Sequence, residues 1–175
     1  MRCGFCTLTV AIILTTVAAQ GWAENSLARH LTDYGLPVMG MGIVADGLSK
    51  DGKAQKTILN GAEALAATEG VVEVLKSTVR ERRPNGGERT SFPSDHASEA
   101  FALATVMAEN HPKQKWYWYL LASGIAWSRV DVRAHHTHDV AAGALLGHII
   151  ADEVVEYNTD RHRHSGGVTL LQKSW

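Results

Sequence analysis

The chain of 175 residues carries 17 basic and 18 acidic side chains, for a net charge of −1, and 45% of its residues are hydrophobic. This length is enough for one globular domain with a real core and too short for two. The near-neutral charge gives no electrostatic case for binding to nucleic acid or to an anionic membrane surface.

The first 23 residues have the pattern of a secretory signal peptide. Arg2 supplies a short basic region, an apolar stretch follows over residues 8–19, and Gly21-Trp22-Ala23 offers a cleavage site. The apolar stretch is short for a membrane span. We therefore predict cleavage before Glu24 and one domain over residues 24–175, with its core in residues 53–157. An uncleaved segment that anchors the protein to the inner membrane is the alternative.

Both cysteines, Cys3 and Cys6, lie within this N-terminal segment. Cleavage would leave a mature chain without disulfides or thiol chemistry. The predicted destination of the mature protein is the bacterial periplasm or the medium.

The mature chain begins with two short helical stretches. Residues 25–34 predict a helix capped by Asn25 or Ser26, which Gly35 and Pro37 are expected to end. Residues 38–48 are apolar and rich in glycine, which predicts a weak helix that needs burial to persist.

Residues 53–82 predict the longest helix. Its apolar residues recur at helical spacing along one face: Ile58, Ala62, Leu65, Val72 and Val79. Lys76 lies on the same stripe, and Arg83 follows two turns later, roughly 10 Å along the axis. We expect both cations to point towards the core, whereas the alternative is that both extend outward to solvent.

Residues 95–109 predict the next helix, with Ser94 or Asp95 as its cap. Small and apolar residues share one face of it: Ala97, Phe101, Ala104 and Ala108. A helix start exposes unpaired backbone N–H groups, which suit a phosphate. The alternative is a plain N-cap with an exposed His96.

Residues 116–130 are apolar nearly all round, which predicts a buried central helix that is too short to span a membrane. The aromatic cluster over residues 116–119 is typical of core or dimer packing, and a membrane interface is the alternative. Residues 140–157 predict the last helix, in which Gly143 and Gly147 permit close helix contact. Residues 161–175 predict a loosely packed tail with His162 and His164 on the surface. No segment has the pattern of a strand, so the predicted class is all-α, a single-domain helical bundle.

Polar residues are concentrated between the last two helices, over residues 128–139. With the two earlier polar segments they supply cations, a hydroxyl, helix-start N–H groups and histidines: Lys76, Arg83, Ser94, His96, Arg129 and His135. Transfer of a phosphoryl group needs such an inventory, because charge on the phosphate oxygens must be neutralised and the leaving oxygen needs a proton.

These segments resemble the three-part signature of the type 2 phosphatidic acid phosphatases (PAP2). The motifs are Lys76-x6-Arg83-Pro84, Pro93-Ser94-Asp95-His96 and Ser128-Arg129-x5-His135-x3-Asp139. They stand in family order with both long internal spacings intact and span over a third of the chain. The superfamily also holds bacterial class A acid phosphatases and vanadium haloperoxidases, so the resemblance implies their helical-bundle fold.

The resemblance also implies a role for each matched residue. His135 would attack phosphorus and form a phosphohistidine, Asp139 would accept a hydrogen bond from the other ring nitrogen of His135, and His96 would protonate the leaving alkoxide. The remaining matched residues would bind the phosphate oxygens: Lys76, Arg83, Arg129 and Ser94, with the backbone at Asp95. The mechanism implies no metal and no other cofactor.

Two departures from the family pattern bear on the substrate. Asp95 stands where the commonest motif has glycine, which brings a negative charge close to the anion. The variant Pro-Ser-Asp-His also resembles the membrane undecaprenyl pyrophosphate phosphatases of the superfamily, which indicates a diphosphate or lipid-linked substrate. The link from Pro84 to Pro93 is short and leaves little room for a lid.

The sequence thus favours a phosphatase for small phosphate monoesters. A phosphatase for lipid phosphates or isoprenyl diphosphates, in peripheral contact with a membrane, is the first alternative. A vanadate-dependent haloperoxidase is a second. A non-catalytic metal- or anion-binding module is a third, in which His135, His136, His138 and Asp139 ligate zinc. A homodimer is compatible with the aromatic cluster.

Overall fold

A computed structural model describes residues 26–48 and 54–172, with side chains through Arg161 except at Gly47 and Ala54. The described residues form five α-helices: α1 Ser26–Gly47, α2 Ala54–Val79, α3 Asp95–Asn110, α4 Lys115–Asp131 and α5 Thr137–Gln172. No strand occurs among them, which confirms the all-α class. The predicted signal peptide with its two cysteines lies outside the described residues, as do the side chains of His162 and His164.

Helix α3 lies at the centre of the bundle and packs against each of the other four helices. Every residue from 102 to 108 is buried, so this helix has no solvent-facing side over these seven residues. Its small side chains, such as Ala100, Ala102 and Ala104, let neighbours approach from all directions. The central position therefore belongs to α3.

The prediction of a buried central helix at residues 116–130 was wrong for one face of α4. Trp118, Ala122 and Ile125 are buried against α1 and α3, but several large side chains on the other face are exposed. These are Trp116, Tyr117, Leu120 and Trp127. We call them the aromatic face. Within the described ranges, no helix has both the length and the apolar character that crossing a membrane requires.

Helix α1 runs unbroken through Pro37, so the predicted break at residues 35–37 was wrong. Met39 and Ile43 are buried in the main core, and Gly35 is so close to α4 that an added Cβ would lie 2.5 Å from Cγ1 of Ile125. Pro37 itself is exposed, so water can reach the carbonyl group that its missing N–H leaves free. Burial along the helix therefore outweighs the local cost of the proline.

Helix α2 ends at Val79, three residues earlier than predicted, because Arg80 turns the chain with φ +51°. Its buried face is rotated from the predicted stripe: Thr57, Ala64, Thr68, Val72 and Lys76 are buried, whereas Ala62 and Val79 are exposed. Lys76 does point inward, as predicted. Arg83 lies beyond the helix and is not on its axis.

Helices α3 and α5 pack closely at two glycines. An added Cβ on Gly143 would lie 2.5 Å from the carbonyl oxygen of Ser94, and one on Gly147 would overlap the carbonyl oxygen of Ser98. The predicted role of these glycines in close helix contact is confirmed. Helix α5 is longer than predicted, and its backbone remains helical to Gln172, where the sequence had predicted a loose tail.

Candidate active site

Four helix ends meet at one end of the bundle and bring the three polar segments together. The backbone N–H of Ser94, at the start of α3, donates to the carbonyl oxygen of Asp139 in α5 over 3.1 Å. The backbone N–H of His135 donates to the carbonyl oxygen of Arg129 at the end of α4 over 3.2 Å. The first bond fixes the second polar segment against the third, and the other bond folds the third segment back on itself.

The loop over residues 80–91 brings Arg83 to this end of the bundle. Two backbone hydrogen bonds close the loop: the N–H of Arg83 donates to the carbonyl of Glu88 over 3.2 Å, and the N–H of Ser91 donates to that of Glu81 over 2.9 Å. Gly86 turns the chain with φ +79°, a conformation that favours glycine. The loop therefore places Arg83 on one arm and Ser91 on the other.

Besides Asp139, five of the predicted site residues each bury a polar side-chain atom that has no hydrogen-bond partner among the described residues. The atoms are Nε of Arg83, Oγ of Ser94, Nδ1 of His96, Nε of Arg129 and Nε2 of His135. We call these residues the anion cradle. A buried unpaired donor costs about 1–3 kcal/mol, so such groups are retained where a ligand can satisfy them. Two guanidinium groups, a hydroxyl and a helix N-terminus suit an oxyanion.

His135 leaves one ring nitrogen, Nε2, without a hydrogen-bond partner among the described residues. Its side chain is almost fully buried, and Nδ1 lies 2.7 Å from the carbonyl oxygen of Ser91, so Nδ1–H donates to that oxygen. This bond leaves Nε2 as the nitrogen with the free lone pair. Burial lowers the pKa of His135 to about 4, aided by Arg83 and Arg129 and opposed by the bond to Ser91. The ring is therefore neutral above that pH.

The expected hydrogen bond between Asp139 and His135 is not formed. Oδ2 of Asp139 instead accepts bonds from Oγ of Ser91 at 2.5 Å and from the backbone N–H of His136 at 2.8 Å. These bonds from Ser91 and His136 lower the pKa of Asp139 despite its burial, which acts in the opposite direction. Asp139 is therefore connected to His135 through Ser91, a residue for which the sequence predicted no role.

The pKa of His96 lies below that of a free histidine. Burial lowers its pKa below the usual value, and Arg129 adds to this effect, followed by Arg83 and Lys76, while Asp95 opposes it. A proton on this ring is held less tightly than on a free histidine, which suits a general acid.

Lys76 and Asp95 form an ion pair at the edge of the anion cradle. Nζ of Lys76 lies 2.6 Å from both carboxylate oxygens of Asp95 and donates a second bond to the carbonyl oxygen of Thr90 over 3.2 Å. An ammonium group has three donors, and these three oxygens lie within reach of all of them. Asp95 thus offsets part of the positive charge that the sequence analysis assigned to phosphate binding.

A second polar group lies behind His135. One ligand atom from each of Glu81, His136, His138 and Asp139 lies within 4.8 Å of the others. We call these four residues the histidine–carboxylate cluster. The predicted zinc set included His135, but Nδ1 of that side chain contacts the carbonyl oxygen of Ser91, and the fourth member of the cluster is Glu81.

Comparisons with known proteins agree with this geometry. The sequence profile of the PAP2 superfamily matches residues 58–163, a range that includes every predicted site residue. The chain is 28% identical over 134 residues to the bacitracin transport permease protein BcrC of Bacillus licheniformis. This match covers 70% of this chain and 66% of that protein. It is 32% identical over 101 residues to the lipid A 1-phosphatase of Porphyromonas gingivalis, which covers 55% of this chain and 23% of that protein. The chain therefore spans less than two thirds of the length of either relative.

Two solved structures have a similar fold. LpxE of Aquifex aeolicus superposes with a TM-score of 0.68 at 21% identity, covering 85% of this chain and 94% of that one. A transmembrane PAP2-type phosphatidylglycerolphosphate phosphatase from Bacillus subtilis superposes with a TM-score of 0.58 at 20% identity, covering 91% of this chain and 88% of that one. At this level of identity, the likeness establishes the fold.

Proposed function

Because this chain belongs to the PAP2 superfamily of phosphatases, we propose that it hydrolyses phosphate monoesters through a covalent phosphohistidine on His135. The observation that carries this proposal is the buried, unpaired Nε2 of His135 beside four other unpaired groups of the anion cradle. A neutral imidazole next to a phosphate-shaped set of donors is suited to attack on phosphorus.

In the first step, the anion cradle binds the phosphate oxygens and neutralises their charge. Arg83 and Arg129 supply guanidinium donors, and Ser94 supplies its hydroxyl and the adjacent start of α3. Removing these charges from water strengthens their interaction with the phosphate as negative charge shifts in the transition state.

In the second step, Nε2 of His135 attacks phosphorus as the ester P–O bond breaks. The imidazole becomes cationic, and its Nδ1–H remains bonded to the carbonyl oxygen of Ser91. The leaving alkoxide takes a proton from His96. Water then attacks the phosphohistidine, with His96 accepting the proton, and cleavage of the P–N bond releases inorganic phosphate. Each step uses side chains of this chain alone.

The test is turnover of p-nitrophenyl phosphate by wild type, by His135→Ala and by the matched control His111→Ala. His111 pairs with Asp46 at the other end of α3, so this control removes a histidine without touching the anion cradle. We expect at least a thousandfold loss of kcat in His135→Ala and none in His111→Ala, with both variants folded. An acid-labile, base-stable phosphoprotein should accumulate in rapidly quenched wild type. Retained turnover in folded His135→Ala would overturn the proposal.

The aromatic face favours a second candidate, a phosphatase for lipid phosphates or isoprenyl diphosphates. Trp116 and Tyr117 are about half exposed and stack on each other, with Leu120 and Trp127 exposed on the same helix. Exposed aromatic side chains are typical of contact with a membrane interface. One relative bears the name lipid A 1-phosphatase.

Vesicles that contain phosphatidic acid or an isoprenyl diphosphate separate the two candidates. If the substrate is a lipid, Trp116→Ser with Tyr117→Ser should reduce turnover on vesicles and leave turnover of p-nitrophenyl phosphate unchanged. Equal losses on both substrates would count against a membrane-facing role.

Processing before Glu24 and export to the periplasm or medium remain part of this proposal, and N-terminal sequencing of the exported protein tests them.

A further inference from the structure

We infer that the histidine–carboxylate cluster is a binding site for a divalent transition-metal ion of the zinc class. The site would lie behind the nucleophile and outside the anion cradle. It would act as a clamp on the loop over residues 80–91, with no part in the phosphoryl transfer itself. Binding is measured directly, so the inference stands or falls independently of the proposed function.

Four distances within the cluster are close to the edges of a tetrahedral site, and its ligand atoms all lie within 4.8 Å of one another. Nε2 of His138 lies 2.9 Å from Oε1 of Glu81 and 3.1 Å from Oδ1 of Asp139. Nδ1 of His136 lies 3.4 Å from the same Glu81 oxygen and 3.2 Å from Oδ2 of Asp139. Ligands at about 2.0–2.1 Å from a tetrahedral zinc ion stand about 3.3 Å from one another. Small side-chain shifts would therefore centre an ion among these atoms.

The two imidazoles are already arranged side by side. Their rings stack with centroids 5.2 Å apart at an interplanar angle of 13°, and Phe92 stacks on the outer face of His138 with centroids 6.4 Å apart. Each ring presents one nitrogen to the two carboxylates. The donor set of two imidazoles and two carboxylates is one that zinc accepts, and its two negative charges balance those of the ion.

A buried oxygen without a hydrogen bond points to a missing ligand. The Asp139 side chain is fully buried, and Oδ2 is occupied by Ser91 and His136. Oδ1 faces His138 but makes no hydrogen bond within the described residues. A buried carboxylate oxygen without a donor costs more than a neutral group does, because its charge is desolvated. A cation coordinated by Oδ1 would remove that cost.

The cluster joins two parts of the chain that shape the active site. Glu81 belongs to the loop that carries Arg83 and Ser91, whereas the other three residues lie at the start of α5. An ion held by all four would fix this loop against α5. Asp139 would then hold Ser91, whose carbonyl oxygen orients His135, so the ion would act as a positioning element for the nucleophile.

The experiment uses untagged protein that has been stripped with a chelator, dialysed and titrated with Zn²⁺ alone by calorimetry. We expect one ion per chain, a rise of several degrees in Tm on binding, and, with Co²⁺ instead, the intense visible absorption of a four-coordinate site. Glu81→Gln and His138→Ala should each weaken binding at least tenfold.

Two control variants test whether Zn²⁺ binds instead to histidines outside the cluster. His111→Ala removes a histidine–carboxylate pair of 2.8 Å at the far end of α3, and a double variant at His162 and His164 removes C-terminal imidazoles. Both should bind Zn²⁺ as wild type does. Absence of stoichiometric binding in wild type would overturn the inference and indicate that the cluster holds only contacts among its own side chains. Unchanged affinity in His138→Ala would overturn it as well.

Discussion

The anion cradle and the histidine–carboxylate cluster are joined through Ser91 and Asp139, and their polar atoms are opposite in kind. The anion cradle presents donors that lack acceptors, from Arg83, Ser94 and Arg129. The cluster presents two carboxylates and two imidazoles that contact one another, with one carboxylate oxygen unsatisfied. One region is therefore built for an anion and the other for a cation.

The difference shows that residue type alone does not set the role of a histidine here. His135 and His136 are adjacent in sequence, yet they face opposite regions. His135 donates its Nδ1–H to a carbonyl group and offers Nε2 to the anion cradle, whereas Nδ1 of His136 faces carboxylates. Ser91 and Asp139 form the wall between them. The hydrogen-bond partner decides which nitrogen is free and for what chemistry.

The largest loss of stability and activity should come from disrupting the packing of α3 against α5, which supports both regions. In Gly147→Ala, the new Cβ would overlap the carbonyl oxygen of Ser98, a backbone atom that cannot move without moving α3. We expect a loss of about 3 kcal/mol or more in the free energy of unfolding, at or above the usual range for overpacking, together with loss of turnover. Urea denaturation measures the change in the free energy of unfolding.

The matched control for this change is Gly70→Ala in α2, where an added Cβ meets no atom within 4 Å. Alanine is a better helix former than glycine, so we expect a gain of about 0.8–1.0 kcal/mol in the free energy of unfolding. Equal effects of the two substitutions would show that the helix contact is looser than its geometry indicates.

The next largest loss of activity should come from a substitution within the anion cradle. Arg129→Lys keeps a positive charge but removes the planar guanidinium and its buried Nε donor. We expect kcat/KM for p-nitrophenyl phosphate to fall about 100- to 1,000-fold, as when one preorganised donor is removed from a transition-state site. The affinity for Zn²⁺ should not change. A loss in Arg129→Lys below tenfold would mean that Arg129 contributes charge alone.

The sequence was sufficient to predict several local features around the candidate site, because helix ends and helical spacing depend only on nearby residues. Helical periodicity placed Lys76 on a buried face, and the start of a helix at Asp95 placed Ser94 where backbone N–H groups are free. The two glycines of α5 likewise indicated a close contact without identifying the partner. These inferences need only the chain near each residue.

The sequence could not predict features that depend on distant packing. The family resemblance implied a hydrogen bond between Asp139 and His135, four residues apart. Because α5 begins at Thr137, His135 lies outside the helix, and the two side chains are not neighbours on one helix face. The continuous path of α1 through Pro37 depends on burial against α4, and the exposed face of α4 depends on α3 occupying the centre. Each of these results from tertiary contacts overriding local preference.

The pH profile separates the two histidines of the anion cradle. His135 must be neutral, so kcat/KM should fall as the pH drops through about 4. His96 must be protonated, so kcat/KM should fall as the pH rises through its pKa, which burial and Arg129 lower from 6.5. Asp95 raises that pKa, so Asp95→Asn should move the alkaline limb to lower pH. An unchanged limb would show that His96 is not the acid.

The smallest effect should come from Ser91→Ala, which alters the wall between the two regions without removing a charge. The carbonyl oxygen of Ser91 stays in place and still orients His135, whereas Oδ2 of Asp139 loses the shortest of its hydrogen bonds. A hydrogen bond to a charged group contributes about 1.5–3 kcal/mol, and we expect only part of this to reach the transition state, as a fall of about tenfold in kcat. KM should stay near the wild-type value, because the donors of the anion cradle are untouched. Ser91→Thr retains the hydroxyl and should recover most of kcat. A rise in KM with kcat unchanged would place Ser91 in substrate binding and would remove it from the link between Asp139 and the nucleophile.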